Sequence, residues 1–127
     1  MALFWCDSLS ISYRDLEAAK RWWIQVFECK QVSVPEDWDC PLPSDVALKL
    51  PGLDEPTILL SDGAEVRQAG YDRPNGHSVI FCSKLQKVRE QLEARGAAPG
   101  AIEDSGGTQF FNICDPEGNV VEICKEP

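Results

Sequence analysis

The stretch QFFNICDPEGNVVEICK, residues 109–125, decides the fold because two apolar segments flank a short polar break. In the break, Pro116 presets a turn and Asp115 can cap that turn through its side chain. Gly118 or Asn119 can adopt the positive φ that such a turn needs. The pattern therefore predicts a β-hairpin.

The second strand of this hairpin carries one carboxylate among apolar residues. Alternation along the strand places Val121 and Ile123 on one face and Glu122 on the other. A charge at such a position belongs either to a solvated face of the sheet or to a site that requires it. Which of the two applies to Glu122 is the main functional question.

Length and charge exclude several classes of protein. The 127 residues, 43% of them apolar and 26% charged, are typical of one globular domain. A net charge of −9 opposes binding to nucleic acid or to anionic membranes. The sequence has no apolar run of membrane-spanning length, and its first residues lack the layout of a signal peptide.

The six cysteines contain no C-x-x-C pair, which excludes a zinc ribbon and a thioredoxin-type site. Cys82, Cys114 and Cys124 fall in predicted strands, where small hydrophobic residues are expected. We therefore expect reduced thiols and a cytoplasmic protein.

Two parts of the chain repeat one order of predicted elements. The first has a strand at 3–13, a helix at 16–27 and strands at 30–34, 46–50 and 57–61. The second has a strand at 77–82, a helix at 85–95, a short strand at 101–104 and the hairpin. The polar segment between them, 63–76, is predicted to be a linker.

This internal repeat indicates two similar units, and Ser8 and His77 occupy matching positions in their first strands. A helix covers one face of each sheet, so the other face needs cover as well. Pairing the two sheets around a shared cavity provides that cover and creates a place for a ligand.

Three motifs together span nearly the whole chain and resemble the vicinal oxygen chelate superfamily, which includes glyoxalase I, the bleomycin- and fosfomycin-resistance proteins and the extradiol dioxygenases. The motifs are Ser8-x-x-Ile-x-Tyr-x-Asp-Leu-Glu17, His77-x-x-Ile-x-Cys-x-Lys-Leu85 and Phe111-Asn-Ile-Cys-Asp-Pro-Glu-Gly-Asn-Val-Val-Glu-Ile123. The resemblance implies an α+β fold in which two βαβββ modules form an incomplete barrel, commonly in a homodimer. One domain, residues 1–127, would then contain module 1 at about 3–62, a linker at about 63–76 and module 2 at about 77–125.

The resemblance also implies where a metal would bind. Metal-dependent members of the superfamily take ligands from the first and last strands of each module, and His77 and Glu122 match two of those positions. Ser8 and Leu59 stand at the other two positions, where a hydroxyl is a weak ligand and a hydrocarbon is none. Zn, Ni, Mn or Fe would suit the imidazole and the carboxylate.

Three functions are consistent with these residues. The first is a small-molecule binder of the resistance-protein type without a complete metal site. Its cavity would be lined by Phe4, Cys6, Ser8, Ser10, Val79, Phe81, Phe110 and Glu122. The second is a divalent-metal-dependent lyase, isomerase or dioxygenase in which His77 is a neutral metal ligand and Glu122 is both ligand and catalytic proton acceptor. The third is a non-catalytic interaction domain in which both residues are structural.

Overall fold

The structure, a computed structural model, describes residues 4–39, 41–71, 73, 75 and 77–127. The strands are β1 (Phe4–Trp5), β2 (Leu9–Tyr13), β3 (Lys30–Val32), β4 (Val46–Lys49), β5 (Ile58–Asp62), β6 (Ser78–Cys82), β7 (Glu103–Ser105), β8 (Thr108–Cys114) and β9 (Val120–Lys125). The helices are α1 (Leu16–Phe27), α2 (Gly63–Gln68) and α3 (Leu85–Ala94). None of the helices in the described residues has the length and hydrophobicity that crossing a membrane requires.

The strands form two sheets. The first sheet has the order β2-β5-β4-β3 and the second the order β1-β6-β9-β8-β7. In each sheet the strand before the long helix pairs in parallel with the last strand of the same unit, β2 with β5 and β6 with β9. This α+β architecture, with two sheets and no closed barrel in the described residues, is the fold class that the sequence predicts.

The predicted hairpin is confirmed as β8 and β9. The Asp115 amide donates to the Asn119 carbonyl at 2.9 Å, and Gly118 adopts a φ of 82°. The Asp115 carboxylate accepts hydrogen bonds from the backbone amides of Glu117 and Asn119, at 3.0 and 2.8 Å. The turn residues therefore satisfy one another locally, which is why this signal is readable from sequence.

Two segments differ from the prediction. Residues 3–13 do not form one strand, because the chain leaves the second sheet after β1 and enters the first sheet at β2. The expected linker at 63–76 begins with helix α2, whose first turn is capped by the Asp62 carboxylate accepting from the Ala64 and Glu65 amides. Residues 72, 74 and 76 of that segment lie outside the described residues.

One hydrophobic cluster joins both sheets and both long helices. Trp23 and Phe27 of α1 are fully buried in it, as are Val88 and Leu92 of α3. Phe4 crosses from the second sheet to α1, with its ring 5.5 Å from that of Phe27 in an edge-on contact. Because one face of each sheet is turned to this shared core, the other face of each sheet points away from it.

A buried polar chain ties the two units together within this core. The Tyr13 hydroxyl donates to Asp115 Oδ2 at 2.6 Å and accepts from the Trp23 indole at 3.0 Å. Tyr13 and Trp23 belong to the first unit, whereas Asp115 begins the turn of the second. Burial raises the pKa of Tyr13 well above its usual value, and the hydrogen bond to Asp115 raises it further.

Stability is therefore expected to fall at alkaline pH. A folded-state pKa above the unfolded value means that Tyr13 stabilises the fold fully below about pH 10, and the stabilisation is lost as pH rises further. Burial also raises the pKa of Cys29 to about 12 and of Cys82 to about 11, which acts in the same direction. Urea unfolding from pH 7 to 11 in reducing buffer measures this loss. Tyr13→Phe should make the alkaline slope shallower, and an unchanged slope would contradict the assignment.

Candidate ligand-binding site

The open face of the second sheet, meaning the face turned away from the core, carries two adjacent rows of side chains. Register pairing aligns Val79, Glu122 and Asn112 in one row. The next row runs across four strands through Trp5, Phe81, Cys124 and Phe110. Their neighbours in sequence face the core instead, as alternation requires. The open face is thus an aromatic row beside a polar one.

The polar row brings His77 and Glu122 together. The His77 Nε2 atom lies 3.2 Å from Glu122 Oε1, at the start of β6, and the Cys124 thiol donates to Glu122 Oε2 at 2.9 Å. His77 is largely exposed, and Glu122 is the more buried partner. Burial, together with the hydrogen bond to Glu122 and its charge, raises the pKa of Cys124 to about 12, so this thiol stays protonated at neutral pH.

The aromatic row places two rings on either side of one small side chain, Cys124, which is only 6% exposed. Cys124 is the register partner of both Phe81 and Phe110, so the backbones of these two residues are two strand spacings apart, about 10 Å. We call this feature the slot: Phe81 and Phe110 are its walls and Cys124 is its floor. Trp5 stacks behind Phe81, with ring centroids 4.4 Å apart and planes inclined by 19°.

A second carboxylate extends the pattern along β9. The Glu126 amide donates to the Cys82 carbonyl at 2.8 Å, which continues the ladder beyond the end of the strand. The Glu126 carboxylate accepts from the Trp5 indole at 2.7 Å and so fixes the ring that supports Phe81. Along β9 the floor of the slot is therefore flanked by Glu122 on one side and Glu126 on the other.

The open face of the first sheet has a different composition. Ser10 pairs in register with Leu59 as Val79 pairs with Glu122, so Leu59 stands at the position equivalent to Glu122. A pocket of about 450 Å³ lies on this face. It is lined by Ser8, Leu9, Ser10, Asp37, Trp38, Asp39, Thr57 and Leu59.

The structure corrects two residues of the expected cavity lining. Phe4 and Cys6 are buried in the core, and Cys6 Sγ lies 3.1 Å from the Thr57 hydroxyl. The expectation rested on one continuous strand that kept even-numbered side chains on a single face. The break between β1 and β2 resets the alternation, so Trp5 faces outward and Phe4 inward.

The other predicted site residues divide between the two open faces. Val79, Phe81, Phe110, His77 and Glu122 lie on the second sheet or at its edge, whereas Ser8 and Ser10 lie on the first. Sequence reasoning missed Trp5 and Glu126. Glu126 was within reach, since it continues the alternation of Glu122 and Cys124 by one step. For Trp5 no sequence signal existed, because pairing of β1 with β6 decides which face of the sheet its side chain occupies.

The residues present do not fit a tightly held divalent metal. His77 and Glu122 are the two strong donors, and the equivalent positions of the first sheet hold Ser8 and Leu59. The neighbouring Cys124 thiol is held in its protonated form and is a poor metal ligand as such. Among the described residues, no group of three or more His, Cys, Asp or Glu side chains is placed to hold an ion.

Comparison with known proteins identifies solved structures that share this fold. No protein-family model and no curated protein matches the chain. Its structure is similar to that of a lactoylglutathione lyase from Agrobacterium tumefaciens, with a TM-score of 0.71 and 21% identity over 95% of this chain and 92% of that one. It is also similar to an antibiotic-binding protein from a Streptomyces species, with a TM-score of 0.68 and 18% identity over 100% and 99% of the two chains.

A third similar structure is a glyoxalase/bleomycin resistance protein/dioxygenase from Nocardioides, with a TM-score of 0.68 and 20% identity over 94% of this chain and 81% of that one. At these identities the similarity concerns the fold. The chain has the fold of the glyoxalase/bleomycin resistance/dioxygenase proteins, which is the one that its motifs predict.

Proposed function

We propose, from this fold and from the slot between Phe81 and Phe110, that the protein binds a small molecule with a flat ring and needs no metal ion to do so. The observation that carries the proposal is the row Trp5, Phe81, Cys124 and Phe110, in which two aromatic side chains flank a small one. Ligand sites are mostly apolar concave surfaces with a few placed polar groups, and Glu122 and His77 supply such groups here. The similar antibiotic-binding protein agrees with a binding role.

The slot also needs a cover, and we propose that a second copy of the chain supplies it. Each sheet turns its other face to the shared core, and the residues of the two open faces are not part of that core. Trp5 and Val120 on the second sheet are 37% and 41% exposed and so offer apolar surface for a partner copy to bury. A symmetric pair would place the first-sheet pocket of one copy over the slot of the other.

Sizing of the purified protein is expected to give about twice 14.1 kDa at micromolar concentration. Light scattering over a hundredfold dilution would detect dissociation. A monomer at every concentration would contradict the proposed cover and leave the slot open to solvent.

The state of the cysteine thiols is relevant to the cellular compartment of the protein. Within the described residues Cys6, Cys29, Cys82, Cys114 and Cys124 are free. Since free thiols persist in reducing compartments, we propose a cytoplasmic location.

The binding proposal is tested by calorimetric titration with flat heteroaromatic compounds, using protein pretreated with a chelator. We expect saturable binding near one ligand per chain, together with a rise in Tm that grows with ligand concentration. Binding that appears only after a divalent metal is restored would favour the metal-dependent alternative. No binding under either condition would contradict both and favour an interaction domain.

A further inference from the structure

We infer that the ligand of the slot is a flat organic cation, because the carboxylates of Glu122 and Glu126 flank the aromatic slot along β9. This inference rests on the proposed function and specifies its ligand class. Cys124, the floor of the slot, is two residues from each carboxylate, which corresponds to about 7 Å along a strand. A ring seated on Cys124 therefore has a negative group within reach of either edge.

The aromatic walls of the slot also favour a positively charged ligand. Aromatic ring faces carry negative potential and attract cations, most strongly where water is excluded. Trp5 stacks on Phe81 at 4.4 Å and is held by Glu126 at 2.7 Å, so the carboxylate orients the indole that supports this wall. A protonated heteroaromatic ring gains from the walls and from the carboxylates together, whereas a neutral ring gains from the walls alone.

No lysine or arginine among the described strand residues balances this charge on the open face of the second sheet. The acids facing it are Glu103, Glu122 and Glu126. Among the described residues of this sheet and its edge, His77 is the basic group that contacts Glu122, and it adds a positive charge only when protonated. The imbalance accords with the net charge of −9.

The first-sheet pocket repeats the combination of an aromatic ring and acids. Trp38 lines it between Asp37 and Asp39. Lys30 and Lys49 pair in register on strands β3 and β4, on the same face as Leu59 by alternation, but they do not line this pocket. Closing this pocket over the slot would bring acids from both faces together, and burying carboxylates without a partner is costly. A bound cation removes that cost.

Three compounds with one ring system test the charge preference by calorimetry at pH 8: acridine, which is neutral, an aminoacridine that is protonated at this pH, and an acridine carboxylate. We expect the aminoacridine to bind at least about tenfold more tightly than acridine, and the carboxylate to bind most weakly. Raising the salt concentration should narrow the difference, since screening weakens charge–charge attraction.

Two substitutions locate the effect. Glu122→Gln and Glu126→Gln should each weaken aminoacridine binding by about threefold to tenfold and leave acridine binding nearly unchanged. Glu93→Gln, at an exposed position of helix α3 away from the slot, changes the net charge equally and should alter the binding of neither aminoacridine nor acridine.

The possible outcomes distinguish the charge preference of the ligand from the proposed ring-binding function. Equal binding of acridine and aminoacridine, with both glutamine variants unaffected, would overturn the charge preference and leave the slot as a neutral-ring site. Absence of binding by all three compounds would overturn the proposed function itself, and the charge preference with it. Because Glu126 is on the open surface, Glu126→Gln keeps the test valid if Glu122→Gln proves unstable.

Discussion

Replacing Asp115 with alanine is expected to lower the free energy of unfolding by about 3–4 kcal/mol. The Asp115 carboxylate is buried, with 5% of the residue exposed, and it accepts from the Tyr13 hydroxyl at 2.6 Å and from the Asn119 side chain at 2.9 Å. It also accepts from the backbone amides of Glu117 and Asn119 in the turn. Alanine leaves the buried Tyr13 hydroxyl without its acceptor and also removes the acceptor of three donors in the part-buried turn. A buried group left without a partner costs roughly 1–3 kcal/mol.

The expected loss is large because the bond links two units. Tyr13 is also the acceptor for the Trp23 indole, so a displaced phenol disturbs helix α1 as well as the hairpin. A typical domain has only about 5–15 kcal/mol of stability in total, so this change removes a substantial share of it.

Asp104→Ala provides a matched control in the other hairpin of the same sheet. Asp104 is exposed, and its side chain accepts one bond, from the Gly107 amide at 3.1 Å, so a loss of about 1 kcal/mol or less is expected. Urea unfolding followed by circular dichroism measures both variants. Similar losses for Asp115→Ala and Asp104→Ala would show that the buried chain of hydrogen bonds adds nothing to an ordinary turn.

Cys124→Leu is expected to weaken ring binding strongly while the fold is retained. The leucine side chain would rise from the floor between Phe81 and Phe110, into the volume that a bound ring needs. A flat ring that loses about 100 Å² of apolar burial loses ~2.5 kcal/mol, or roughly 70-fold in affinity. The loss should be the same for neutral and charged rings, because the change is steric.

Two controls separate blocking of the slot from general damage. Cys124→Ser preserves the size of the floor and the donor to Glu122, so binding should stay within about threefold of the original. Ala94→Leu adds apolar volume at an exposed position of helix α3, away from the slot, and should leave binding unchanged. Ligand binding by Cys124→Leu at the original affinity would place the site elsewhere, the first-sheet pocket being the next place to test.

Local signals were sufficient for the order of the elements and for part of the site. Turn chemistry at Asp115 and Gly118 predicted the hairpin, because those residues satisfy their hydrogen bonds with one another. Alternation within β6 and β9 correctly separated core-facing from outward-facing side chains, since the period of two holds along an unbroken strand. The contact between His77 and Glu122 required more, and it came from the repeat and the family motifs together.

The N-terminal strand and the slot depended on tertiary structure. Alternation predicts which residues of one strand share a face, but it does not carry across a break in the strand. Only the pairing of β1 with β6 decides that Trp5 faces outward and Phe4 inward. The slot has the same origin, because Phe81, Cys124 and Phe110 are distant in sequence and become neighbours through register. The sequence by itself therefore determined the repeated units, the hairpin and the contact of His77 with Glu122. Sheet pairing alone determined which aromatic rings stand beside them, because hydrogen bonding between strands, rather than any property within a strand, sets the register.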